Sequence, residues 1–239
     1  MQKFPVVILP GWRIGSSRFD GLKEIFKNEG YPTFVIDFPG FETGLELTKA
    51  FHLIDYVKFL DKFLRQKRIT KAIFVCHSFG GRVALKYLSQ QPHLAQALII
   101  SGTPGFKVFR LRVLLTLLLA PVGKILIFVP PLFFFRKQLT QLLYRFSGTY
   151  DYYKTDGHLR QTFKNIIAES LLDYMKKIRI PTLLVWGEQD RVVPVGIANK
   201  MQKTILHSKI VTIAGENHNF VYKHPEKFSQ PVLEFLKTL

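Results

Sequence analysis

Two hydrophobic periods alternate along this chain, and that alternation limits its folds more than any other feature. Residues 4–9, 33–36, 72–76, 97–101, 182–186 and 210–213 are short runs, mostly β-branched or aromatic and nearly continuously apolar. Such runs suit parallel strands buried on both faces. Between them lie stretches with helical spacing, at 18–29, 47–66, 80–90, 196–202 and 225–236. The clearest is 47–66, where Leu47, Ala50, Phe51, Ile54, Val57, Leu60 and Leu64 recur near a helical period. Strand–helix alternation predicts an α/β fold: a mostly parallel sheet of about six strands with helices on both faces.

One segment departs from this rhythm. Between residues 104 and 172 no strand pattern occurs, and the sequence becomes helical, aromatic and apolar. Residues 111–135 carry only Arg112 and Lys124 as charges, but also Pro121, Pro130 and Pro131. A membrane-spanning helix needs about 20 uninterrupted apolar residues, so the expected element is a helical cap. The predicted organisation is a core of residues 1–103 and 173–239 with the cap, 104–172, inserted into it.

Composition narrows the setting. Lys and Arg number 34 against 17 acidic residues, a formal net charge of +17. The basic residues are spread along the chain, with no zinc-finger or aromatic-interleaved pattern. This speaks against nucleic acid as a partner and for a solvated basic surface. A single cysteine, Cys76, excludes an intramolecular disulfide and fits a reducing compartment. The N-terminal apolar run is short and reads as the first strand, so the expected location is cytoplasmic.

Three motifs carry chemistry, each at the end of a predicted strand. Phe74-Val75-Cys76-His77-Ser78-Phe79-Gly80-Gly81 joins a strand to a helical stretch, the context in which a serine is presented on a sharp turn. The run Leu183-Leu184-Val185-Trp186-Gly187-Glu188-Gln189-Asp190 ends a strand in a Gly-x-x-Asp turn, 112 residues after Ser78. Val211 to Ile213 leads through a small-residue turn to His218, 28 residues after Asp190. A serine hydroxyl needs a base to take its proton, and the base needs a third group to hold its tautomer.

In these motifs and their order the chain resembles the α/β-hydrolase superfamily, in particular its short, cap-bearing branch with a His-Ser-x-Gly-Gly elbow. The superfamily's usual elbow is Gly-x-Ser-x-Gly, and Cys76 stands here in the first glycine position. The resemblance implies Ser78 as nucleophile, His218 as base and Asp190 as the acid. It also implies an oxyanion hole built from the backbone amides of Phe79 and of Trp12, in the Pro10-Gly11 loop where the superfamily usually carries His-Gly. His77 corresponds to a residue packed under the elbow, and the Asp37-Phe38-Pro39-Gly40 loop to a structural turn capped by Asp37.

The expected reaction is hydrolysis of a carboxylic ester, lactone or thioester with an apolar acyl group, through an acyl-enzyme at Ser78. Trp12, Phe128, Phe133 and Phe134 are the expected pocket residues. No metal-ligand cluster or phosphate-cradling glycine loop is present in the sequence, so neither metal nor cofactor is expected. Two alternatives stay open: a carbon–carbon bond hydrolase using the same triad, and a ligand-binding or membrane-surface protein on the same scaffold. The expected partner is a small apolar ester. The apolar stretch at 111–135, flanked by Lys107, Arg110, Arg136 and Lys137, reads as a pocket wall or as a contact with anionic membrane.

Overall fold

A computed structural model describes residues 3–42, 44–106, 134, 138 and 157–239. The six expected strands are all present: β1 (Val6–Leu9), β2 (Thr33–Val35), β3 (Ala72–His77), β4 (Ala95–Ser101), β5 (Thr182–Gly187) and β6 (Ser208–Ile213). They form one sheet in the order β2-β1-β3-β4-β5-β6, with every pairing parallel. The described helices are α1 (Asp20–Asn28), α2 (Leu53–Gln66), α3 (Phe79–Leu88), α4 (Gly157–Ala168), α5 (Leu172–Lys177), α6 (Val195–Thr204), α7 (Phe220–Lys223) and α8 (Pro225–Leu236).

The period of two along the strands divides the core into layers. Val7, Leu9, Phe74, Cys76, Leu98, Ile100, Leu184 and Trp186 face one side, where α2, α3, α5 and α6 cover them. Val6, Ile8, Ile73, Val75, Ala97, Ile99, Leu183 and Val185 face the other, beneath α1, α7 and α8. The central strands are therefore apolar at almost every position, whereas the edge strand β6 is only half-buried.

The helix expected over 47–66 begins at Leu53 instead. The Asp55 carboxylate accepts from the His52 amide at 2.8 Å, closing the first turn. Upstream, both backbone groups of Phe51 are held by α4: its amide donates to Thr162 Oγ1 at 2.8 Å and its carbonyl accepts from Asn165 Nδ2 at 3.1 Å. Leu47 and Phe51 thus bury apolar surface from a loop, and the apolar spacing continues past the point where the helix ends. Within the residues expected to form the cap, 104–172, helix α4 is described. Phe128, Phe133 and most of the apolar stretch lie outside the described residues.

All the strands run parallel, so their carboxyl ends share one edge. The loops after β1, β3, β4, β5 and β6 meet there, as open α/β sheets require of a ligand site.

Candidate active site

Ser78 occupies the junction of β3 and α3 with φ 50° and ψ −108°, a conformation L-residues rarely adopt. Its backbone is held from both sides. The Ser78 amide donates to the Ser101 carbonyl at 2.8 Å, and its own carbonyl accepts from Thr103 Oγ1 at 3.0 Å. The glycines after it are required sterically. A Cβ on Gly80 would strike the Leu9 backbone, and one on Gly81 would strike the Thr103 side chain. Helix α3 therefore packs directly against β1 and the β4 exit, while the serine is left partly exposed.

Asp190 lies past the carboxyl end of β5. Its Oδ1 accepts from the amides of Val192 (2.8 Å) and Val193 (2.7 Å), and its Oδ2 is 2.7 Å from His218 Nδ1. The Asp190 side chain is 1% exposed and that of His218 11%. An ionised carboxylate only accepts, so Nδ1 carries the imidazole proton and Nε2 keeps its lone pair. The His218 ring lies over Gly102, where an added Cβ would fall 2.7 Å from its Cε1. Gly102 is left-handed (φ +59°) and sits between Ser101 and Thr103, the two residues that hold Ser78. Ser78, His218 and Asp190 all lie at the carboxyl edge of the sheet.

The loop after β1 closes another side. Arg13 is left-handed there (φ 57°), and the Ile14 amide donates to Gly11 at 3.1 Å. Asp37, expected to cap its turn, reaches across to Ser16, accepting from its amide (3.1 Å) and its hydroxyl (2.9 Å). The carboxylate bonds donors in the neighbouring loop, a partner choice local spacing does not encode. Among the described residues, no backbone acceptor engages the amides of Trp12 or Phe79. The Trp12 indole lies among Phe41 (5.1 Å), Phe163 (5.2 Å) and Phe79 (5.6 Å), in edge-on or tilted packing. Phe134, expected in the pocket wall, is 78% exposed.

Two further side chains attach to this edge. His77 is buried, and neither ring nitrogen has a well-formed hydrogen bond. Its ring centroid is 4.9 Å from that of His218 and 5.9 Å from that of Tyr222. Burial, and secondarily repulsion from His218, hold its imidazole well below the usual histidine range, so the ring is neutral. Glu216 ties the histidine loop to the acid loop: its carbonyl accepts from the Gln189 amide at 2.8 Å, and its buried carboxylate bonds His224 Nδ1 (2.8 Å) and Lys227 Nζ (2.6 Å). The Lys227 hydrogen bond is the main cause holding that carboxyl below its ordinary range. Glu216 is not marked by any local pattern, because its role depends on two loops meeting in space. Cys76, at the usual glycine position, is buried in the sheet, and burial pushes its thiol well up and away from reactive thiolate character.

Sheet, elbow and the Asp190–His218 pair define a serine hydrolase of the α/β-hydrolase superfamily. Within that class the chain belongs to the Hydrolase_4 family, described as serine aminopeptidase, S33, whose model matches residues 2–222. It is similar to monoacylglycerol lipase ABHD6 of Rattus norvegicus, with 33% identity over 84 residues, covering 34% of this chain and 25% of the lipase. The uncharacterized hydrolase YugF of Bacillus subtilis is 23% identical over 248 residues, covering 93% of this chain and 86% of its own. Among solved structures, the esterase EaEST of Exiguobacterium antarcticum superposes with a TM-score of 0.74 at 22% identity, covering 99% of this chain and 92% of the esterase. Membership in this family makes the chain an enzyme, which sets aside the reading as a non-catalytic binding protein. Among the described residues no helix is long and apolar enough to cross a membrane.

Proposed function

We propose that the protein hydrolyses carboxylic esters with an apolar acyl group through an acyl-enzyme at Ser78. The observation that carries this reading is the Asp190–His218 pair, 2.7 Å apart and nearly dry, at the same sheet edge as a serine in a strained turn. Ser78 Oγ attacks the ester carbonyl and forms the new C–O bond, and its proton passes to His218 Nε2. Negative charge gathers on the carbonyl oxygen, facing the amides of Trp12 and Phe79. The C–O bond to the alcohol then breaks, and His218 returns the proton to the departing oxygen. Water enters, loses a proton to His218 and attacks the acyl carbonyl; as the bond to Ser78 Oγ breaks, His218 returns that proton to Oγ and the acid is released. Asp190 stays ionised throughout and holds the imidazolium.

The apolar ring of Trp12, Phe41, Phe79 and Phe163 supports an apolar acyl group over a charged peptide N-terminus. The nearby carboxylates of Asp37 and Glu42 bond the amides of Ser16 and Gly15 (3.1 and 3.2 Å). The lipase and esterase among the similar proteins point the same way. A peripheral contact with anionic membrane, which the net charge of +17 would favour, is part of this reading for an enzyme of apolar esters. The test is a fluorophosphonate probe together with p-nitrophenyl esters of graded chain length. Wild-type protein labels at Ser78 and hydrolyses the esters, and Ser78→Ala, still folded by circular dichroism, loses both activities by at least ~10³-fold. Wild-type turnover in purified Ser78→Ala overturns the assignment.

A further inference from the structure

Arg82 lies four residues after Ser78 on α3, and its side chain reaches the carbonyls of Pro104, Ile166 and Glu169. It is 6% exposed, a costly place for a permanent charge unless its donors are satisfied. Nη1 donates to the Pro104 carbonyl at 3.0 Å, and Nη2 donates to the carbonyls of Ile166 (2.6 Å) and Glu169 (2.7 Å). Ile166 is in the last turn of α4 and Glu169 directly follows it; the Ile166 carbonyl also accepts from the Glu169 amide at 3.3 Å, and the helix end leaves carbonyls that a further donor can reach. The guanidinium adds donors there and puts a full positive charge at the negative end of the helix, while its Nε is buried without a hydrogen-bond partner. Burial draws Arg82 down to about 10, against the opposing pull of Glu169, so the group remains charged at neutral pH.

A second cation repeats the contact one turn further along α3. Lys86 Nζ pairs with Glu169 Oε1 at 2.6 Å, and the Tyr174 hydroxyl donates to the same oxygen at 2.7 Å. At the other flank of α4, Phe163 packs on Trp12, and Thr162 and Asn165 hold Phe51. Helix α4 is thus fastened at its C-terminus to the helix that begins at Ser78, and along its side to the loop that carries Trp12.

We propose that Arg82 is a specificity-positioning residue: by capping α4 it fixes Phe163 against Trp12, and so sets the wall that meets the acyl chain. The proposal rests on Ser78 being the nucleophile. Arg82 touches neither Ser78 nor the Asp190–His218 pair in any hydrogen bond, so its loss acts on long acyl groups and spares the chemistry.

Arg82→Met tests this in the full chain with two independent readouts. Hydrogen exchange in the peptide spanning 157–168 should speed up ~10-fold or more while peptides from the β-sheet stay unchanged. For p-nitrophenyl octanoate, kcat/KM should fall ~10-fold through KM, while p-nitrophenyl acetate turnover and fluorophosphonate labelling stay within ~3-fold of wild type. Phe163→Ala should reproduce the octanoate effect, and the double variant should add little to either change, because both act through one contact. Equal losses on acetate and octanoate, or unchanged exchange in α4, overturn the proposal. If Arg82→Met does not fold, Lys86→Met removes the second tie to the same helix end. Faster α4 exchange and a weaker octanoate KM in that variant support the proposal, and their absence overturns it. A wild-type protein that is never labelled at Ser78 overturns the nucleophile assignment instead, and the exchange readout still decides whether Arg82 fastens α4.

Discussion

Lowering the pH should destabilise this protein through His77 before any carboxylate contributes. The ring is buried beside Phe19, Tyr222 and His218, and neither nitrogen has a well-formed hydrogen bond. Burial first, and the nearby His218 second, keep it neutral in the folded state well below the usual range. In the unfolded chain the same ring protonates near its ordinary value of about 6.5. The unfolded state therefore binds a proton that the folded state refuses. The stabilising contribution is complete above that value and is lost as pH falls from it towards the depressed folded value. Each pH unit in that window costs about 1.4 kcal/mol for one such group, or about 2 kcal/mol between pH 8 and pH 5. Glu216 acts further down, because its carboxyl is held below the ordinary range and its contribution is lost only as pH falls through that lowered value. Urea unfolding of wild type and His77→Leu at half-unit pH steps measures the difference. The variant should lose about 2 kcal/mol less than wild type over this interval. Parallel curves within about 0.5 kcal/mol would refute the reasoning, whatever the absolute stability of the variant.

Asp190→Asn should lower kcat by about 10³- to 10⁴-fold in ester hydrolysis while KM changes little. The amides of Val192 and Val193 require an oxygen at the Oδ1 position, so the new amide nitrogen faces His218 Nδ1 and forces the proton onto Nε2. Retained activity would mean that His218 does not rely on this carboxylate for its tautomer. Ser78→Gly should abolish turnover yet raise stability by about 1 kcal/mol, or roughly 2–4 °C in Tm, by relieving the strained backbone at φ 50°, ψ −108°. A lower Tm by calorimetry would show that the turn carries no such strain.

The alternation of apolar runs and helical stretches was enough to predict six parallel strands and the helices between them. Burial on both faces makes each central strand apolar at nearly every position, a signal local in sequence. The elbow was legible for a related reason: Gly80 and Gly81 are demanded by close backbone and side-chain contacts that admit no Cβ, and the strand before them is unbroken. Asp190 and His218 could be placed because each follows directly on a strand end. Other features depend on segments far apart in the chain and left no local mark. Helix α2 starts at Leu53 because α4 takes the backbone groups of Phe51, 111 and 114 residues away, although the apolar spacing runs on to Leu47. Asp37 bonds Ser16 across the strand ends. Arg82 was hidden most completely. In sequence it is one more base on a chain of net charge +17, and only the close approach of α4 converts it into a buried cap. Spacing along a chain encodes which face a residue presents, but the partner it meets there depends on how distant segments pack.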